Sequence, residues 1–106
     1  MPKYLLRASY TVEGARGLLK EGGSGRRTAV EKLVRKLGGE LEGFYYAFGD
    51  ADAIAIVDVP DAATVTALSL AINSSGAVNV ATTALVTPEE VDAACKKSVP
   101  YRAPGA

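Results

Sequence analysis

The 106-residue chain carries 12 basic and 12 acidic side chains, no histidine and one cysteine. Balanced charge removes the net field that draws a protein to nucleic acid or to an anionic membrane. Without imidazole there is no Ser-His-Asp or Cys-His triad and no histidine-based zinc or iron site, so a metal would need carboxylates alone.

Residues 3–11, KYLLRASYT, read as a strand. Alternation puts Tyr4, Leu6, Ala8 and Tyr10 on one face and Leu5, Arg7, Ser9 and Thr11 on the other. A short helical stretch, GARGLLK, is weakened by glycines and stops at Gly22 and Gly23. Residues 26–37 predict a stronger helix, with Ala29, Val30, Leu33, Val34 and Leu37 on one stripe. Glu31 and Arg35 form a favourable i,i+4 pair, and Gly38 and Gly39 end the helix.

Residues 40–48 and 53–59 read as two strands joined by the turn GDAD. Pro60 ends the second, and Asp61 is placed as an N-cap. Residues 62–73 carry Val65, Leu68, Ala71 and Ile72 on one helical face, and Ser74, Ser75 and Gly76 break that helix. Residues 77–86, AVNVATTALV, predict a fourth strand. The run TPEE is a helix start: Thr87 caps, Pro88 takes the first helical position and Glu90 completes a capping box.

The expected order is β-α-β-β-α-β with a short added helix, a ferredoxin-like α+β plan with an antiparallel sheet. Residues 1–97 are expected to form one domain, and residues 98–106, SVPYRAPGA, a mobile tail. Right-handed crossovers put both main helices on one face of the sheet. The strand AIAIVDV is apolar on both sides, with Ile54 and Ile56 opposed to Val57 and Val59. Its second face therefore needs cover, and a second copy of the chain is the simplest cover. Val57, Val59 and their neighbours are the expected contact residues.

No apolar run approaches the ~20 residues of a membrane span, and MPKYLLRASY has no signal-peptide core. With one cysteine and no internal disulfide, the expected compartment is the cytoplasm.

Several candidate sites stand beside plainer structural readings. In FYYAFGDAD, Phe44, Tyr46 and Phe48 share one face and Tyr45 takes the other. Core aromatics and a hairpin turn explain the stretch; so does a pocket rim in which Tyr45 or Tyr46 and Asp52 orient a ligand. Solvent at the turn would keep Asp50 and Asp52 both ionised. GGSGRR sets Arg26 and Arg27 at a helix start, either as an anion cradle or as a joint with Ser24 as N-cap. Arg7 in a central strand needs Asp58 or a ligand acid as partner. Asn79 and Thr83 share a face opposite Thr82. Cys95 reads as a small buried apolar residue or, near Lys96 and Lys97, as an activated thiol.

The stretches MPKYLLRASYTVEGARGL, GGELEGFYYAFGDADAIAIVDVPD and SGAVNVATTALVTPEEV resemble the GYD-domain proteins over roughly residues 1–95. These are small bacterial proteins, generally of unassigned function, similar to the dimeric α/β-barrel superfamily. The family's stretch Gly, any residue, Tyr, Asp is Gly49, Asp50, Ala51, Asp52 here. A role resting on that tyrosine phenol does not carry over to Ala51. The resemblance implies a homo-oligomer binding a small molecule between sheet and helices or at a subunit interface, with no cofactor and no metal. The alternatives are a cofactor-free isomerase or monooxygenase working with Tyr and Asp groups, or a purely structural homo-oligomer.

Overall fold

The computed structural model describes all of residues 1–106. Its elements run β1 Lys3–Tyr10, α1 Val12–Glu21, α2 Gly23–Lys36, β2 Glu40–Tyr46, β3 Ala53–Asp58, α3 Ala62–Ser74, β4 Val78–Leu85 and α4 Pro88–Cys95. The four strands make one antiparallel sheet in the order β2-β3-β1-β4, which is the ferredoxin-like α+β arrangement. β1 is central, as expected.

Side-chain alternation divides the sheet into two unlike faces. Leu6, Ala55 and Val57 are buried under the helices with Val34 of α2 and Val65 and Leu68 of α3. The opposite face carries Leu5, Arg7, Ile54 and Ile56, and no helix covers it. Strand β3 is therefore apolar on both sides, but the residues expected on the open side are reversed. Val57 and Val59 are fully buried on the helix side, and Ile54 and Ile56 are the open ones.

A bulge between Leu41 and Gly43 interrupts the pairing of β2 with β3. Leu41 pairs with Val57 and Phe44 with Ala55, so both belong to the helix face although they lie three residues apart. Glu42 is the extra residue. Its carboxylate accepts from Lys3 Nζ at 2.6 Å, and Lys3 also donates to Asp58 at 2.9 Å. One ammonium thus ties β1, β2 and β3 together, and both partners, Glu42 first, raise its pKa.

The helix boundaries follow local chemistry. Thr11 caps α1 by accepting from the Gly14 N–H at 3.2 Å, and Asp61 caps α3 by accepting from the Thr64 N–H at 2.8 Å. The Thr64 hydroxyl and amide together hold the Asp61 carboxyl below the usual range. At α4 the expected capping box is complete: Glu90 N–H donates to Thr87 Oγ1 and Thr87 N–H to Glu90 Oε1.

Three further expectations change. First, α2 starts at Gly23, not at residue 26, because Gly22 with φ of 84° turns the chain directly from one helix into the next. Ser24 lies inside the helix, where its carbonyl accepts from Thr28, and caps nothing. Second, the β2–β3 connection spans residues 47–52 rather than a tight GDAD turn, with Phe48 at a positive φ of 52°. Third, Cys95 is exposed rather than buried, because α4 has no buried residue.

Candidate functional site

The helix face contains a cavity of about 50 Å³ between the sheet, α2 and α3. Its origin is the run of small side chains Ala8, Ala53 and Ala55, which leaves space beneath Val30 and Ile72. Every lining residue is apolar or aromatic except Arg26. The cavity opens toward a groove of about 690 Å³ between α1, α2 and the end of α3, and Tyr10, Arg26, Ile72 and Val78 line both.

Two glycines shape that groove. Gly14 is buried against the start of β4, where an added Cβ would meet the Ala77 carbonyl oxygen at 2.0 Å. This close approach, with Thr11 N–H donating to Ala77 O at 3.0 Å, sets the position of α1. Gly17 also lines the groove, and an added Cβ there would meet nothing within 4 Å.

The polar groups lie where the cavity meets the groove. Burial pushes the Tyr10 phenol up to about 12, and the nearby Tyr46 phenol and Asp52 carboxylate add to the rise against the opposing Arg26 charge. Tyr10 is therefore neutral at physiological pH, where it donates a hydrogen bond but is not a tyrosinate base. Arg26 Nη1 stands 3.8 Å from Glu21 Oε1 in a partly exposed pair, so its guanidinium retains donors for another acceptor.

Tyr46 is held rather than free. Its hydroxyl donates to the Gly23 carbonyl at 3.1 Å, its ring packs edge-on to Phe44 at 5.3 Å, and it stacks on Phe48 at 5.8 Å. Asp52 is also engaged: its Oδ2 accepts the Tyr10 N–H at 2.8 Å, while its own N–H donates to Ala8 O at 2.8 Å. The β2–β3 loop is thereby fastened to the end of β1.

The sequence candidates fall in three places. Arg26, Tyr46 and Asp52 belong to the helix side, near the cavity mouth. Arg7 and Tyr45 stand on the open sheet face, and both are exposed. Arg27 is exposed at the β2 edge, where it and Tyr45 line shallow depressions instead of the cavity. Arg7 has no carboxylate partner, because the expected one, Asp58, pairs with Lys3. At GGSGRR the Gly22 N–H donates to Leu18 O at 2.7 Å and the Arg26 N–H to Gly22 O at 3.1 Å, so one helix passes directly into the next. Asn79 and Thr83 do share the open face, with Thr82 opposite and its hydroxyl 2.6 Å from Ser69.

Tyr10, which lines both the cavity and the groove, was placed by alternation on one strand face but was not among the sequence candidates. Its signal was available: it ends the helix-facing row Tyr4, Leu6, Ala8, where the strand gives way to a capped helix. No group of three or more Asp, Glu or Cys side chains is placed to hold a metal ion, and no helix is long and apolar enough to cross a membrane.

No curated protein and no solved structure matches the chain. The GYD domain family model matches residues 4–95, which include all four helices, the four strands except Lys3, and every residue of the cavity and its mouth. The chain belongs to the GYD-domain family.

Proposed function

We propose that the protein binds a small molecule with a short apolar tail in the cavity and a polar head in the adjoining groove. The observation that carries this reading is the lining: apolar throughout, with one cationic side chain, Arg26, at the polar end. The cavity is smaller than the about 150 Å³ that admits benzene, which favours a slim, unbranched tail reaching inward from the groove. Arg26 and the neutral Tyr10 phenol are both donors, which suits a carboxylate or carbonyl head.

Binding is favoured over catalysis by what the reactive side chains already do. Tyr10 keeps its proton, Asp52 holds a backbone amide, and Cys95 lies on α4, outside the cleft. The test is thermal denaturation with hexanoate and hexanol as probes. Hexanoate is expected to raise the melting temperature of the wild type through linkage. Ala8→Val, which fills the cavity, removes the rise for both probes, and Arg26→Ala removes the advantage of hexanoate over hexanol. Equal shifts in the wild type and Ala8→Val would reject the cavity as the binding site.

A second reading concerns the open face of the sheet. Leu5, Ile54, Ile56 and Leu85 lie there half-exposed, beside a Tyr45 ring that is 68 % exposed. A second copy bearing the same face would cover all of them at once, because a two-fold interface is self-complementary. On this reading the protein works as a homodimer, with its ligand cleft on the side away from the partner.

A further inference from the structure

We infer that residues 86–106 form an exchanged arm, in which α4 of one copy lies across the β1–β4 half of the open sheet face of a second copy. This rests on the reading that a second copy covers that face, and it names the part of the partner that covers its β1–β4 half.

The arm has an apolar side with no cover. Val86, Val91, Val99 and Tyr101 are 66 %, 47 %, 74 % and 66 % exposed. The side-chain hydrogen bonds of residues 86–106 stay within the segment, between Thr87 and Glu90, and none of its side chains makes a hydrogen bond or ion pair to residues 1–85. The radius of gyration is 16.9 Å, against about 13 Å for a compact chain of this length. An eight-residue helix without tertiary packing is marginal in water, since isolated helices under about 12 residues hold poorly. Yet α4 is fully specified at its start by a capping box and Pro88. A helix so well begun and so poorly buried is suited to a surface that its own chain does not supply.

The sheet offers that surface. Val91, Ala94 and Cys95 share one side of α4 at i, i+3 and i+4, an apolar stripe one helical turn long. On the open face of β1 and β4, Ser9, Ala81 and Thr83 are small and give a helix room beside the apolar Leu5 and Leu85. The β2–β3 half carries Tyr45, Ile54 and Ile56. Charge also matches. Arg7, between these small residues, is exposed without an ion pair, and α4 carries Glu89, Glu90 and Asp92. Each copy both gives an arm and receives one, so the exchange closes as a dimer.

Native Cys95, the chain's one cysteine, makes the exchange testable in the full-length protein. Ala81→Cys is introduced with Cys95 in place, the sample is oxidised, and disulfide-linked peptides are identified by mass spectrometry. A covalent dimer joining position 95 of one copy to position 81 of the other is expected. It should be absent from Ala81→Cys/Cys95→Ser and from Ser24→Cys, whose new thiol lies on α2. Val91→Asp, at a site exposed in the single chain, should weaken dimerisation at least tenfold by light scattering. A dimeric wild type with only an intramolecular 95–81 bond, or with none, overturns the arm and leaves the homodimer standing. A wild type that remains monomeric at every concentration overturns both.

Discussion

The Asp52 carboxylate accepts the backbone N–H of Tyr10 at 2.8 Å, and the Tyr10 phenol in turn stands at the mouth of the cavity. A loop residue thus fixes the strand end that presents a site residue. Asp52→Ala is expected to lower stability by about 2 kcal/mol, the usual scale for a hydrogen bond to a charged group. Asp52→Asn keeps an acceptor and loses less. Urea denaturation of both variants measures the difference, and hexanoate binding should weaken in the same order.

Gly14 and Gly17, one turn apart on α1, should respond to alanine with opposite signs. At Gly14 the new methyl meets the Ala77 carbonyl, which belongs to the backbone and cannot swing aside. The expected loss is about 2–3 kcal/mol, as for overpacking. At Gly17 the space is empty, and alanine should stabilise the helix by about 0.5–1 kcal/mol. Thermal melts of the two single variants check the sign of each.

Tyr10 predicts a specific loss of stability in alkali. Its folded pKa, pushed up to about 12, exceeds the model-peptide value of 10.0. Its contribution is complete below pH 10, because both states then keep the proton. As pH rises from 10 to about 12 the unfolded phenol ionises first and the contribution is lost. Ultraviolet titration should show a tyrosine ionising near pH 12 that is missing from Tyr10→Phe.

Ile56 and Val57 are neighbours with separate tasks. Val57 is fully buried, so Val57→Ala should cost about 2 kcal/mol with no change in oligomeric state. Ile56 lies on the open face, so Ile56→Asp should leave the helix-side core intact and shift a dimer to monomer. Light scattering and urea denaturation on both variants separate the two outcomes.

The fold was legible because its elements carry agreeing local signals. Asp61 and Thr87 announced two helices, Gly38 closed another, and strand alternation sorted Tyr45 from Tyr46. What stayed hidden depends on distant partners. Nothing near Arg7 or Lys3 tells which of them pairs with Asp58. The face of β3 that meets the helices is equally undetermined locally, since Val57 and Ile56 are alike in hydrophobicity. Cys95 shows the limit of composition: a residue type usually buried is exposed because its helix finds no surface within the chain. The cavity was beyond reach too, because it arises from three alanines on two strands that alignment in space brings together.

The bulge at Glu42 acts as a phase shift in the sheet. Strand side chains repeat every two residues, so one inserted residue exchanges inside and outside for everything that follows. Leu41 and Phe44 face the same helices only because that shift lies between them. Removing Glu42 would keep the composition almost unchanged and yet turn Phe44 and Tyr46 outward and Tyr45 inward. The cavity wall would lose Phe44, and Tyr46 its bond to Gly23. At this point in the chain the count of residues governs the site more strictly than their identity.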